Sequence, residues 1–246
     1  DGSCEYPDNG DHSLYLNGID NYVNLGNGFD LNNNSFSWES NIKKEQLDGC
    51  IFLGHGQTSW ADDSTLHIGW RDENQFTFDF WGNGIDIDIS EDYQYHRWTG
   101  TYNAGTNERH VYLDGVLIGN DSASSDYQGV GDLTLGTMPY FLAAGYSPCD
   151  CDIAETRIWD RALTEQEVNE GDFNLEGLVG YYKFNAGDGN ILYDHSGNQN
   201  HGTIYGEANW VDNIYGCTDD MACNYNPNAN NNDGSCEYAE DNFDCD

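Results

Sequence analysis

Between Ser13 and Trp159, apolar and polar residues alternate with a period of two, in short runs broken by Gly, Asn or Asp. SLYLNG, NYVNLG, FSWES, CIFLG, TLHIGW, QFTFDFWG, IDIDIS, RWTGTY, HVYLDGVLIG, LTLG and AETRIW are such runs. In a strand, successive side chains point to opposite faces, so each run offers one apolar and one polar face. Many short two-faced strands can bury their apolar faces only against a second layer of the same kind, which predicts a two-sheet antiparallel sandwich. HVYLDGVLIG carries the clearest hairpin, because Asp114-Gly115 supplies the positive φ angles of a type I′ turn.

One helix is expected, at RALTEQEVNEG. Thr164 caps it, Glu167 three residues on completes a capping box, and Gly171 closes the C-terminus. Strands resume in GLVGYYKFN and GTIYG, and the core ends near Trp210. Trp38, Trp98 and Trp159 lie within strands and are assigned to that core.

From Gly216 the sequence becomes poor in aliphatics and dense in Asn, Asp and Cys. Such a stretch cannot fold by burying apolar surface, so covalent bridges or metal must hold it. DGSCEY, residues 1–6, recurs as residues 233–238, and the first copy reads as the tail of a preceding module of the same kind. Three units are therefore expected: 1–10, the tail of a preceding cysteine-rich repeat; 11–212, the sandwich; and 213–246, a cysteine-rich Asn/Asp-rich repeat. The chain reads as one period of a longer protein.

The chain has 44 Asp and Glu against 8 Lys and Arg, a formal net charge of −36. That excludes nucleic acid and anionic lipid as partners, and it calls for salt or bound cations to limit self-repulsion. No apolar run approaches the roughly 20 residues of a membrane span, so direct insertion is not expected. Eight cysteines, an even number, point to disulfides and an oxidising, extracellular setting. Cys4, Cys50, Cys149, Cys151, Cys217, Cys223, Cys236 and Cys245 are all assigned to bridges. Cys149 and Cys151 are placed in two separate bridges, with Cys50 a partner for one of them. Cys4 is equivalent to Cys236, so its partner is expected upstream.

NGIDNYVNLG, LHIGWRDENQFTFDFWGN, RWTGTYNAGTNERHVYLDGVLIG and IAETRIWDRALTEQEV, in this order, resemble the laminin G-like, concanavalin A-like jelly rolls of large secreted bacterial proteins. The resemblance runs over about residues 11 to 212, and GLVGYYKFNAGDGNILYDHSGNQNHGTIYG resembles a segment that recurs beside such modules. It implies an all-β, two-sheet antiparallel jelly-roll sandwich with one short helix and a small disulfide-rich C-terminal repeat. That repeat resembles the pattern GC-x5-C-x12-C-EY of tandem modules on bacterial cell-surface proteins, matched at Cys217, Cys223 and Cys236. Fold alone does not assign function, since this superfold hosts lectins, glycosidases, adhesion modules and spacers.

Retaining glucanases of this fold use a Glu-x-Asp-x-Glu strand. The nearest stretch here, GIDIDISED, has Asp86 and Asp88 and puts Ser90 where a catalytic Glu belongs. A retaining pair needs carboxyls about 5 to 5.5 Å apart as nucleophile and acid. The strand instead reads as apolar on one face and acidic on the other, and no catalytic residue is assigned. The histidines are scattered through turns and strand ends and form no zinc box.

Calcium is the expected cofactor, since it takes six to eight oxygens of the kind this chain has in excess. The resemblance places a rim ion at Asp194 and Asn198, with Asp20 as a third ligand. In the tail, Asn228 to Gly234 does not make an EF-hand loop, because Ala229 falls where the first carboxylate belongs. For glycan recognition, Trp60, Tyr140 and Tyr146 are the ligand-binding candidates, all placed in loops. The expected partners are thus a glycan or neighbouring copies of the chain. Two readings stay open: a non-enzymatic module of a repetitive surface adhesin, stalk or fibre, and a carbohydrate-binding module of a secreted polysaccharide-degrading enzyme.

Overall fold

A computed structural model describes residues 6–90, 93–171 and 175–239. The strands are β1 (His12–Asn17), β2 (Tyr22–Gly26), β3 (Phe36–Lys44), β4 (Cys50–Gly56), β5 (Thr65–Trp70), β6 (Gln75–Asp79), β7 (Gly84–Asp88), β8 (His96–Asn103), β9 (Glu108–Leu113), β10 (Val116–Ser122) and β11 (Asp132–Leu135). A short helix α1 (Pro139–Ala144) precedes β12 (Asp150–Trp159), and α2 (Glu165–Glu170) precedes β13 (Leu178–Tyr182). β14 (Ile191–Leu192), β15 (Gly202–Tyr205) and β16 (Asn209–Asp212) complete the sandwich, and the tail adds β17 (Tyr215–Gly216) and β18 (Asn231–Asn232).

Two eight-stranded sheets face each other. One runs β10-β9-β8-β3-β12-β1-β16, with β13 also on β12; the other runs β14-β15-β2-β11-β4-β5-β6-β7. Every named pairing within them is antiparallel. The all-β sandwich expected from period two is what forms.

The core is aromatic. Phe76 of β6 stacks on Trp98 of β8 at 3.9 Å between ring centres, and Trp70 meets both edge-on. Trp38, Phe52 and Phe78 continue the cluster from one sheet to the other. Each such buried ring contributes about 2 to 3 kcal/mol by area, and stacked or edge-on pairs add about 1 kcal/mol each. Trp38, Trp98 and Trp159 are all buried, Trp159 in a smaller cluster with Tyr112, Leu163 and Val168.

Local signals read from sequence have their expected geometry at several points. Asp114 and Gly115 have φ of 51° and 83° at the tip of the β9–β10 hairpin. In α2, Thr164 and Glu167 make the reciprocal capping box, and Gly171 closes the helix at φ 65°. The helix count differs: α1 was expected to be loop. Pro139 at its first position presets φ, and Gly145 terminates it in the left-handed region at φ 77°. Tyr140 is therefore on a helix, and only Tyr146 follows in loop.

Cys50 is bonded to Cys149, tying the loop after α1 to β4, and Cys217 to Cys236. Cys223 is also disulfide-bonded. Cys151, expected in a bridge of its own, is instead a free, buried thiol. β12 places Cys151 opposite Leu16 on one side and Lys44 on the other, inside the core, where Cys149 already holds Cys50. Cys4 and Cys245 lie outside the described residues.

The tail's amides are spent on its own backbone. Asn230 Oδ1 accepts from the Ile214 amide and its Nδ2 donates to the Asp212 carbonyl at 2.8 Å, fixing the tail to the end of β16. Asn232 and Asp233 accept from the Gly234 and Ser235 amides in successive Asx turns. A segment with little apolar area thus holds its shape by side-chain hydrogen bonds and disulfides.

Candidate functional site

In β5 and β6 the alternation puts Leu66, Ile68, Trp70, Phe76 and Phe78 into the core, and His67, Thr77 and Asp79 on the opposite face. That outer face would normally be wet. Here His67 is 5%, Thr77 0% and Asp79 3% exposed, so something covers it. Arg71 and the β6–β7 turn close over Asp79, and the cover beside His67 is Trp81 with α1 and the loop that follows it, tied to β4 by the Cys50–Cys149 bridge. Between cover and sheet lies a cavity of about 300 Å³, bordered by His67, Arg71, Trp81, Phe141, Pro148 and the bridge itself.

Its polar base is a connected set. His67 Nε2 lies 3.2 Å from Asp79 Oδ2, Arg71 Nη2 donates to the same carboxylate, and Arg71 Nε donates to Asp86 Oδ1 at 2.6 Å. Burial alone would raise the Asp79 carboxyl. The hydrogen bonds and charges of His67 and Arg71 outweigh it and hold Asp79 well below the usual carboxylate range. Arg71 is itself raised, its desolvation outweighed by Asp86 and Asp79. Asp86 is therefore an ion-pair partner on the outer face. His67 Nδ1 is buried without a hydrogen-bond partner.

The rim is aromatic. Trp60 stacks on Trp81 at 5.6 Å, Tyr140 meets Trp81 edge-on at 5.3 Å, and Phe141 packs on Tyr146 at 5.0 Å. Trp81 also lies edge-on to His67. The fold thus brings Trp60, Tyr140 and Tyr146 into one arc and joins them through Trp81 and Phe141, which sequence reasoning passed over. Trp81 occupies the β6–β7 turn with φ 70°, followed by Gly82 at φ 73°. Asn or Gly suits that place, and an indole there costs about 1 to 3 kcal/mol, a strain that collects at functional positions. WG between two alternating runs was the available signal.

The residues expected to hold calcium are engaged otherwise. Asp194 is fully buried; Oδ1 accepts from the Tyr181 and Ser196 amides, and Oδ2 from the Ser196 hydroxyl and the Asn200 amide. Those four donors occupy the oxygens an ion would need. Asn198 donates to the Leu178 carbonyl, and exposed Asp20, in the β1–β2 turn, accepts from Asn17 Nδ2. Among the described residues, the one group of three close His, Cys, Asp or Glu ligands is Cys50, Cys149 and Cys151. Among the described residues, no helix is long and apolar enough to cross a membrane.

Comparison with known proteins agrees with this architecture. A candidate carbohydrate-binding protein from Bacteroides ovatus superposes with a TM-score of 0.62 at 18% identity, over 82% of this chain and 60% of that one. The CBM40 module of a Ruminococcus gnavus sialidase, solved with α2,3-sialyllactose, gives 0.50 at 11% identity, over 65% of this chain and 95% of the module. A pentraxin from Limulus polyphemus gives 0.50 at 11% identity, over 65% and 80%. At these identities the likeness is one of fold, and this chain spans three fifths of the length of the Bacteroides protein. No curated protein matches the chain in sequence. The sequence profile of the concanavalin A-like lectin/glucanases superfamily matches residues 16–169, more than half of the chain, and the chain belongs to that superfamily.

Proposed function

We propose that this chain is a non-catalytic, extracellular carbohydrate-binding module, and that the cavity under α1 takes a neutral glycan. The observation that carries the reading is the aromatic arc from Trp60 through Trp81 to Tyr146, set over a buried polar base. Sugars present apolar C–H faces and a hydroxyl rim, and sites for them pair aromatic walls with a few fixed polar groups. Carbohydrate binding among proteins of similar fold supports the same reading, as does disulfide bonding for an extracellular setting.

Neutrality follows from charge. Arg71, the one arginine bordering the cavity, already faces two carboxylates, Asp79 and Asp86. Taken up by both, Arg71 offers an incoming carboxylate no free charge, and the chain's net charge of −36 repels it further. On a glycan array, neutral oligosaccharides should therefore outbind their sialylated forms, and Trp81→Asn should abolish the signal. Trp81→Asn also relieves the left-handed strain, so its melting point should stay close to wild type. A preference for sialosides, or binding unchanged in Trp81→Asn, refutes this site.

The adhesin, stalk or fibre reading is the second part of the proposal. It treats the cysteine-rich tail as a joint between modules and draws its support from the repeated DGSCEY.

A further inference from the structure

The first DGSCEY ends at Tyr6, and Tyr6 is seated. Its ring stacks on Tyr193 at 5.1 Å and 23°, and meets His195 and His201 edge-on at 5.4 and 4.9 Å. The socket is pre-set: His201 Nδ1 accepts from the Asp194 amide at 3.0 Å, and His195 Nε2 lies 3.2 Å from Asn185 Oδ1. Beyond Tyr6 the arm is pinned by the Asn9 amide donating to the Asn185 carbonyl at 2.8 Å, and by Asn9 Nδ2 donating to Ala186. Four-donor capture of Asp194 thus has a use, since it fixes the loop that carries both histidines.

The second DGSCEY ends at Tyr238, which is 59% exposed. Its hydroxyl donates to Asp219 at 2.6 Å, so the side chain is held by its tip while the ring stays open to solvent. The two hexapeptides are identical, yet one ring has a three-sided aromatic seat and the other has none of that kind among the described residues.

We infer that the tyrosine ending each DGSCEY is a plug for the Tyr193, His195 and His201 socket, and that Tyr238 docks into that socket on a second copy of this chain when Tyr6 leaves it. The contact is heterologous, plug to socket, so it generates an open head-to-tail array only where Tyr6 is displaced. Within one chain the socket is filled by Tyr6, which blocks docking in trans. The inference deepens the joint reading proposed above and involves no residue of the aromatic cavity, so glycan binding can be measured separately and each can fail alone.

Sedimentation of the full chain tests it, in about 0.5 M salt to screen the −36 charge. Tyr6→Ala empties the socket, and at about 0.3 mM it should show concentration-dependent association that wild type lacks. Tyr6→Ala with Tyr238→Ala should return to monomer. Tyr6 lies on an arm outside both core clusters, and a thermal melt verifies that the variant is folded; Tyr6→Leu serves in the same design. As a second reading, a synthetic peptide of residues 233–238 carrying Cys236→Ala should shift the His195 and His201 ring resonances of Tyr6→Ala at about 1 mM, and the same peptide with Tyr238→Ala should not. A monomeric Tyr6→Ala with no peptide shift, or association that survives in the double variant, overturns the inference.

Discussion

Replacing Cys149 by alanine should cost less stability than replacing Cys149 and Cys151 together. The Cys50–Cys149 bridge closes 99 residues, and in the chain-entropy account a loop of that size stabilises by about 4.7 kcal/mol. The Cys151 sulfur lies within 4.8 Å of both bridged sulfurs. In wild type it stays a thiol, because burial and then the charges of Asp152, Asp150 and Glu45 push its pKa well up. Once Cys149 is gone, Cys50 and Cys151 are neighbours on oxidative refolding, and their bridge would close almost the same loop. The single variant should lose only about 1 to 2 kcal/mol from the truncated side chain, while the double variant loses the whole loop term. At about 2 to 4 °C per kcal/mol, the double variant, which adds the same truncation loss to the loop term, should melt about 11 to 27 °C below wild type and the single variant within about 8 °C. Alkylation of the unfolded, unreduced proteins followed by mass spectrometry counts the thiols. If Cys50 and Cys151 are both alkylated in Cys149→Ala and the two variants melt together, the three-sulfur geometry is wrong.

Two further expectations follow from buried charge and from the calcium assignment. Burial raises Glu39 to about 7, with Arg157, Arg97 and Thr99 pulling the other way without cancelling it. A carboxyl raised in the folded state contributes stability that is present below its unfolded value of about 4.5 and is lost as pH rises through about 7. Denaturant melts of Glu39→Gln and wild type should therefore diverge in the variant's favour by about 3 kcal/mol between pH 4 and pH 8, and parallel curves would refute the assignment. Excess chelator should move the melting point by less than about 2 °C, since protein donors fill Asp194; a large drop would restore calcium at Asp20, Asp194 and Asn198.

Strand pattern, the Asp114-Gly115 hairpin and the α2 capping box were legible because each is decided within a few residues. Period two puts Leu66, Ile68 and Trp70 of the TLHIGW run on one face and His67 on the other. What it could not say is whether the polar face meets water, because α1, which borders the same cavity as His67, comes from about 70 residues further along the chain. For the same reason Trp60, Tyr140 and Tyr146 could be proposed singly but not as an arc, and Trp81 at their junction was missed. Cys151 was misassigned because an even count suggests full pairing, whereas strand register decides which sulfur reaches Cys50. Asp194 and Asn198 were expected at a calcium site from residue type and resemblance, which do not carry the hydrogen bonds that Asp194 accepts from the Tyr181, Ser196 and Asn200 amides.

The most direct test of glycan binding under α1 uses the seven tryptophan indole N–H resonances during titration with the neutral oligosaccharide that leads a glycan array. Trp60 and Trp81 should move together and saturate, while Trp38, Trp98 and Trp159, buried in the core, stay in place. Binding that leaves Trp60 and Trp81 unshifted would put the ligand elsewhere on the sandwich and contradict the account.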